Sequence, residues 1–275
     1  MSKLTPEDVV LRYSKRGMNV LKKYLKDGYC RTAAEKLLHA ERGTVLLTTG
    51  FYVAGYAETD GPLGTVAVAE ALNHLGFHSV VVTDKYCKGF FELKQLDVEY
   101  VDIAADEQVY EDILDKYNPV YMISIERCGE NAEHEYANMR GVSITSETAA
   151  IDHLFELAPE KHIPTIGVGD GGNEIGMGNV KDIISEKLEL NPCVVPVDDL
   201  IIATTNWGAY ALTAWLQKLS GEEVLFTFAE AEPYLAATLE IGSVDGVLKE
   251  KKMGVDGFDM TVEKEILDSL AEAIA

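Results

Sequence analysis

The residue types best suited to chemistry lie in a glycine-rich block at residues 167–178, which reads GVGDGGNEIGMG. Six of these twelve residues are glycines, so the backbone can reach positive φ angles and leave N–H groups uncovered near an anion. The backbone amides of Gly171 and Gly172, in the middle of the block, are the N–H groups that we expect to bind such an anion. The block also carries three polar side chains that could bind a ligand or move a proton: Asp170, Asn173 and Glu174. It fits neither the dinucleotide fingerprint nor the P-loop motif.

Carboxylates elsewhere in the chain could complete a site with this block. Glu58 and Asp60 together with Asp170 could supply oxygen ligands to Mg²⁺ or Mn²⁺, since hard cations prefer carboxylates, amides and water. Alternatively, these carboxylates accept hydrogen bonds from loop amides or cap helices. One of them could instead be a general base, because a carboxylate in a partly dry, acid-crowded pocket has a raised pKa.

Two arginines could receive a carboxylate group of a ligand. Arg127 either neutralises the adjacent Glu126 or forms a bidentate pair with the ligand. Arg140, close to Asn138, provides a second guanidinium that can bind a carboxylate through two hydrogen bonds. Beyond residue 42 the chain holds only 14 basic residues against 41 acidic ones. Two arginines near the acidic segments therefore predict a small acidic metabolite as ligand.

Asn206 directly precedes a predicted helix and has two interpretations. It is either a plain N-cap, with Trp207 filling the core, or a donor to the ligand, with Trp207 as a wall of the site. The four cysteines form no C-x-x-C pair, so neither a structural zinc site nor a thioredoxin-type motif is indicated. Cys128 and His134 are the other polar residues close to Glu126.

These polar residues follow short apolar runs that are typical of buried parallel strands. The runs lie at 45–47, 79–82, 120–123, 165–168 and 200–203, with an edge candidate at 98–101. Helical stretches alternate with them at 64–76, 106–117, 146–158, 172–190 and 207–219, and a last helix is expected near 261–275. This alternation predicts a three-layer α/β/α fold with a mostly parallel, doubly wound sheet. We place this domain at 43–275, after a helical N-terminal arm at 1–42.

Charge excludes some classes of partner. The formal net charge is −22, so a nucleic-acid backbone would be repelled. The N-terminal arm is an exception, with ten basic against five acidic residues, and we expect its basic groups to contact the acidic body. No run approaches the roughly 18 to 20 apolar residues of a membrane span, and no signal-peptide pattern is present, which predicts a cytoplasmic protein without a membrane partner.

Several blocks taken together resemble the C-terminal domain of the D-glutamate cyclase family. They are 58–62 (ETDGP), 125–129 (IERCG), 136–140 (YANMR), 167–178, 206–212 (NWGAYAL) and 250–257 (EKKMGVDG). The resemblance covers about residues 44–260 and implies a lyase that converts D-glutamate to 5-oxo-D-proline and water. Longer members of that family carry an additional N-terminal domain.

Cyclisation of glutamate needs a deprotonated amino group, an activated γ-carboxyl and a protonated leaving oxygen. We predict that Glu126 or Glu174 is the base or acid, and that Asp170 with Asn173 orients the substrate or binds a metal. Arg127 or Arg140 would bind the substrate carboxylates. The amides of Gly171 and Gly172 would stabilise the oxyanion.

Two other classes of function stay open. A non-catalytic binding module for a small acidic metabolite would use the same arginines and the same loop. A metal-dependent phosphoryl or nucleotide enzyme is the other option, although the glycine block lacks both a P-loop and a lysine. The sequence leaves the oligomeric state open, including a homo-oligomer.

Overall fold

The computed structural model describes residues 4–275. Its strands are β1 (Thr44–Thr48), β2 (Tyr52–Val53), β3 (Tyr56–Ala57), β4 (His78–Thr83), β5 (Asp97–Tyr100), β6 (Tyr121–Ile125), β7 (Thr165–Gly169), β8 (Asp199–Ile202), β9 (Gly254–Val255) and β10 (Phe258–Asp259). Its α-helices are α1 (Pro6–Val10), α2 (Met18–Leu21), α3 (Tyr29–His39), α4 (Pro62–His74), α5 (Gln108–Tyr117), α6 (His153–Lys161), α7 (Lys181–Leu188), α8 (Trp207–Ser220), α9 (Phe228–Ile241) and α10 (Met260–Ile274).

The central sheet has the order β5-β4-β1-β6-β7-β8, and each neighbouring pair is parallel. The strands β1, β6 and β7 are buried almost throughout, as expected for strands that helices cover on both faces. Along the chain the sheet grows outward from β1 in one direction and then from β6 in the other. This is a doubly wound sheet, so the predicted fold class is confirmed, and the winding reverses between β1 and β6. Ligands of such sheets bind at this switch point, outside the carboxyl ends of the strands.

The predicted strands are all present, whereas several helices differ from the prediction. The predicted helix at 172–190 begins only at Lys181, because the glycine block forms an irregular loop in which Gly172 and Gly176 have φ values of 99° and 103°. Such left-handed backbone cannot continue a helix. Helix α6 covers His153–Lys161 rather than 146–158, and the sequence analysis missed α9.

The described part of the N-terminal arm, residues 4–42, packs on the same core. Helix α1 lies against α8 and α10, and Val9 and Val10 are buried there. The expected contacts between basic groups of the arm and the acidic body are present, for example Lys36 with Asp199 at 2.7 Å. The boundary at residue 42 stays a prediction. Within residues 4–275, no helix combines the length and the apolar composition needed to cross a membrane.

Candidate functional site

Three acidic residues from three different loops meet at the switch point of the sheet. Asp60 precedes α4, Glu126 directly follows β6, and Asp170 directly follows β7. Each of them has a carboxylate oxygen within 4.8 Å of the others, and all three side chains are buried. We call these residues the carboxylate trio. The convergence of strand ends that the sequence predicted therefore brings Asp60, Glu126 and Asp170 together.

A cavity of about 480 Å³ is lined by two members of the carboxylate trio, Glu126 and Asp170, whereas Asp60 lies outside its lining. The segment from Phe51 to the β2–β3 hairpin forms one wall, the loop around Arg140 forms another, and the loop around Lys249 closes the rim. The polar residues that line the cavity are Arg16, Glu58, Glu126, Asn138, Arg140, Ser143, Asp170, Asn173, Glu174 and Lys249.

Glu126 has an unusual backbone and an unusual side chain. Its φ is 51°, in the left-handed region that non-glycine residues rarely adopt. Its Oε1 atom is buried and has no hydrogen-bond partner among residues 4–275. Burial, and then the nearby Asp170 and Asp60, raise the pKa of Glu126 well above its ordinary value. Strained backbone and an unpaired buried acceptor are both features that cluster at functional sites.

Asp60 is held in place by the segment that begins α8. Its Oδ1 atom accepts hydrogen bonds from the Asn206 N–H at 2.7 Å, the Thr205 hydroxyl at 3.0 Å and the Gly61 N–H at 2.9 Å. Burial, followed by Asp256 and Asp170, raises the pKa of Asp60 well above its ordinary value.

Asn206 thus contributes to the site through its backbone. The structure does not bring its side chain to the cavity, where we expected a donor to the ligand, and the residue is fully buried. Asn206 stands at the N-cap position of α8, yet its side chain makes no capping hydrogen bond.

The glycine block is folded around Glu174. The N–H groups of Gly171 and Gly172 donate to Glu174 Oε1 and Oε2, both at 2.8 Å. A Cβ on Gly171 would lie 2.7 Å from Glu174 Oε1, so a larger residue there would displace the Glu174 carboxylate. These two amides are therefore occupied, contrary to the prediction that they are free to stabilise an oxyanion. Burial nevertheless raises the pKa of Glu174.

Asn173 presents an unpaired acceptor at the cavity. Its Nδ2 donates to the Ala137 carbonyl at 2.8 Å, whereas its buried Oδ1 has no partner in the described part of the chain. Asn173 and Glu126 therefore both line the cavity, and each holds a buried oxygen without a partner in the described part of the chain.

Arg16, from the N-terminal arm, was not predicted as a site residue. Its Nη1 contacts Asp170 Oδ2, and its Nη2 lies 2.8 Å from Asp256 Oδ1. Burial raises the pKa of Asp170, Arg16 lowers it, and the net result lies well above the ordinary value. The only signal for this pair in the sequence is Asp256 within the 250–257 block.

The rim of the cavity carries two cations without partners. The side chains of Arg140 and Lys249 are exposed and make no hydrogen bond or ion pair with other residues of the 4–275 range. Asn138 organises this loop, since its Oδ1 accepts from the N–H groups of Arg140 at 2.9 Å and Val142 at 3.2 Å. Arg140 thus lies at the cavity on a loop that Asn138 supports, and its role in receiving a carboxylate stays a prediction.

Arg127 lies elsewhere. It is fully buried and does not line the cavity. Its Nη1 donates to Asp84 and to the Gly50 carbonyl, both at 2.7 Å, and its Nη2 donates to the Ala149 carbonyl at 2.7 Å. The partner of Arg127 is therefore Asp84 rather than Glu126, and its terminal nitrogens are already used by the protein.

The predicted metal set of Glu58, Asp60 and Asp170 is changed by the structure. The residues with mutually close oxygens are Asp60, Asp170 and Glu126, whereas Glu58 lines the cavity beside them. Burial, followed by Asp256 and Asp60, raises the pKa of Glu58 well above its ordinary value.

Cys128 and His134 do not contribute to the cavity lining. Cys128 is buried against Phe51 and Tyr136, and burial raises the pKa of its thiol. His134 is exposed and lies 3.0 Å from Glu130.

Two solved structures show low similarity to this chain. Ligand-free aldohexose dehydrogenase of Thermoplasma acidophilum is 11% identical with a TM-score of 0.30, over 86% of this chain and 88% of that one. UDP-glucose 4-epimerase of Brucella ovis in complex with NAD is 16% identical with a TM-score of 0.31, over 65% and 47%.

Sequence comparison is more informative. The human protein named D-glutamate cyclase, mitochondrial, is 31% identical over 259 residues, covering 80% of this chain and 40% of that protein. The chain therefore spans about 40% of the length of this curated relative. A family model described as D-glutamate cyclase-like, C-terminal, matches residues 7–271. Because that match runs through nearly all of the 275 residues, the chain belongs to the D-glutamate cyclase-like C-terminal family.

Proposed function

We propose that this chain is a lyase that interconverts D-glutamate with 5-oxo-D-proline and water at the cavity beside the carboxylate trio. One observation carries the proposal: two residues that line the cavity, Glu126 and Asn173, each hold a buried acceptor without a partner, and two others, Arg140 and Lys249, are cations without partners among residues 4–275. This polarity suits a small amino acid with a second carboxylate. Membership of the family and the name of the human relative support the same reaction.

Both the unpaired acceptors and the unpaired cations of the cavity would contact a bound glutamate. The substrate ammonium brings N–H donors, and Glu126 Oε1 and Asn173 Oδ1 are buried acceptors without partners. The substrate carboxylates would bind Arg140 and Lys249 at the rim, where the guanidinium fork of Arg140 can hold a carboxylate through two hydrogen bonds. Orientation of the amino group toward the γ-carboxyl is itself a large part of catalysis of ring closure.

The reaction forms a bond between the amine nitrogen and the carbon of the γ-carboxyl group, and it breaks the bond between that carbon and one of its oxygens. The ammonium loses two protons, and the departing oxygen takes up two protons and leaves as water. A base must therefore take a proton from the ammonium, and an acid must protonate the leaving oxygen. Neighbouring carboxyls, one charged and one protonated, can perform both transfers.

The cavity offers these two kinds of carboxyl. Asp170 is the base in our proposal: burial raises its pKa, as it does for the other carboxyls, but the Arg16 guanidinium in direct contact with it opposes this effect and favours the charged form. Glu126 and Glu58 are the candidate acids, because burial and neighbouring carboxyls raise their pKa values and so keep a proton on them at higher pH. Glu174 is a poorer candidate, since both of its oxygens accept loop N–H groups.

Nuclear magnetic resonance of the purified chain tests this proposal by following the lactam signals with D-glutamate, L-glutamate or 5-oxo-D-proline. We expect turnover with the D-enantiomer and a fall in kcat of about 10²-fold or more in Asp170→Asn and Glu126→Gln. Glu263→Gln is the matched control, because Glu263 is equally buried but bonds to Trp207 outside the cavity. Wild-type turnover in both cavity variants would overturn the assignment.

A binding module for a small acidic metabolite is the second candidate, favoured by the 40% coverage of the human relative. Saturable shifts with D-glutamate and no lactam would establish binding without catalysis. A phosphoryl or nucleotide enzyme is less compatible with the site, because Glu174 occupies the amides of Gly171 and Gly172 that would cradle a phosphate.

The cytoplasmic location and the homo-oligomer stay predictions. The human relative is named as mitochondrial, and this chain has no helix in the described range that could cross a membrane. Sedimentation of the purified chain and fractionation of its host cell measure these two properties directly.

A further inference from the structure

The carboxylate trio concentrates negative charge in a small buried space. Asp60, Glu126 and Asp170 are each only 2% exposed, and one oxygen of each lies within 4.8 Å of the others. Charges in such a setting need a counter-charge, because they have lost their hydration. Arg16 provides one to Asp170, but it contacts neither Asp60 nor Glu126 within the described residues.

The orphaned oxygen of Glu126 is an independent sign that a ligand belongs here. Glu126 is only 2% exposed, and its Oε1 has no hydrogen-bond partner in the part of the chain that the structure describes. Glu126 also has a φ of 51°, so the protein keeps a strained backbone at the residue that presents this oxygen. A buried acceptor without a partner is costly unless something binds to it.

We infer that Asp60, Glu126 and Asp170 form a binding site for one divalent cation, Mg²⁺ or Mn²⁺. The three side chains supply only carboxylate oxygens, which are the ligands these hard cations prefer, and the adjoining cavity has room for the waters that Mg²⁺ usually keeps. The trio contains no cysteine or histidine, which makes it unlike a zinc site.

This inference rests on the proposed function and refines it. A cation in the trio would polarise the γ-carboxyl of the substrate as a Lewis acid. Glu126 and Asp170 would then be metal ligands rather than acid and base, and Glu126 would bind the cation instead of the substrate ammonium.

Titration of the full chain with Mn²⁺ after removal of metals by a chelator tests the inference, with free Mn²⁺ measured by electron paramagnetic resonance. We expect one bound Mn²⁺ per chain, competed by Mg²⁺. Glu126→Gln and Asp60→Asn should each weaken binding about tenfold or more, because each removes a charged ligand. Glu263→Gln, a buried carboxyl outside the trio, should bind Mn²⁺ as the wild type does. Circular dichroism checks that each variant is folded.

A second measurement avoids variants altogether. Bound Mn²⁺ broadens the nuclear magnetic resonance signals of nearby nuclei, so the amides of Gly61, Arg127 and Gly171, each next to a trio residue in the sequence, should broaden first. Absence of binding at about 10 mM Mn²⁺, or broadening that spares these amides, overturns the inference.

The outcomes also separate this inference from the proposed function. Lactam formation that persists in excess chelator overturns the metal site and leaves the cyclase proposal standing. Mn²⁺ binding that depends on Glu126, without any lactam from D-glutamate, supports the metal site and overturns the cyclase proposal.

Discussion

Arg16 and Asp256 lie 240 positions apart in the sequence and are joined by an ion pair of 2.8 Å. The same guanidinium contacts Asp170, so the N-terminal arm, the end of β7 and the C-terminal tail are tied together beside the cavity. The Asp256 backbone has a φ of 53°, another left-handed non-glycine residue at this site. The arm is therefore part of the candidate site as well as part of the core.

Replacing Arg16 with glutamine should impair turnover. Without the guanidinium, Asp170 and Asp256 repel each other and their carboxylates lose their common donor. We expect kcat for D-glutamate to fall about tenfold or more, with a smaller change in KM, and Arg16→Lys to recover part of the loss, since lysine keeps the charge but not the two-pronged geometry. Steady-state kinetics by lactam detection measures both parameters.

Arg12→Gln is the matched control for Arg16. Arg12 lies on the same arm and pairs with Glu265, but both members of this pair are substantially exposed, and such pairs contribute about 0 to 1 kcal/mol. Equal kcat and KM values for the Arg12 and Arg16 variants would show that Arg16 holds the N-terminal arm in place and does not contribute to turnover.

The sequence was sufficient to predict the sheet and half of the site. Glu126 and Asp170 directly follow the parallel strands β6 and β7, whose carboxyl ends meet at one edge, and Asp60 lies between the hairpin after β1 and helix α4. Arg16 could not be predicted in this way, because its contact with Asp256 depends on how the arm and tail pack, which no local pattern encodes.

The composition of the glycine block did not predict which groups its backbone amides bind. Its composition indicated uncovered amides, yet the Glu174 side chain, three positions from Gly171, turns back and accepts both N–H groups. Local hydrogen bonding of this kind competes with ligand binding and is decided by the backbone angles of the loop. Arg127 was misplaced for a related reason: adjacency to Glu126 in sequence does not fix where its side chain points, and Asp84 on a neighbouring loop is its partner.

Arg127→Met should destabilise the protein. The substitution leaves the buried Asp84 carboxylate without its ion-pair partner and two carbonyls without a donor. Removing one member of a buried pair costs about 3 to 5 kcal/mol, so the midpoint of urea unfolding should fall markedly. The KM for D-glutamate in the folded fraction should stay close to that of the wild type. A raised KM with unchanged stability would instead restore Arg127 as a ligand for the substrate carboxylate.

Arg140→Gln should weaken binding of the substrate and leave the stability of the fold almost unchanged. Arg140 is exposed and its guanidinium has no partner among the described residues, so its loss should change the free energy of unfolding by less than about 0.5 kcal/mol. Loss of a charge-assisted bond to the substrate should raise the Kd for D-glutamate about tenfold, measured by titration calorimetry. Lys187→Gln is the control, since Lys187 is exposed, pairs with the adjacent Glu186 and lies outside the cavity lining. An unchanged Kd would remove Arg140 from the binding site.

Glu263 is a buried carboxyl whose charge works against stability. Its Oε2 accepts the Trp207 indole N–H at 2.6 Å, and its Oε1 accepts the Tyr210 hydroxyl at 2.7 Å. Both donors favour the charged form, but burial outweighs them and raises the pKa of Glu263 above its ordinary value. The folded protein therefore holds this proton more tightly than the unfolded chain does.

Glu263→Gln should for this reason change how stability depends on pH. Between the ordinary pKa of a glutamate and the higher pKa in the folded state, the folded protein is protonated and the unfolded chain is not. The free energy of unfolding of the wild type then falls by up to about 1.4 kcal/mol for each pH unit of rise in that window, and this contribution levels off above it. The variant lacks this group, so its stability relative to the wild type should increase as pH rises above the ordinary pKa of a glutamate, about 4.3, as measured by urea unfolding. Parallel curves for the two proteins would show that Glu263 titrates alike in both states.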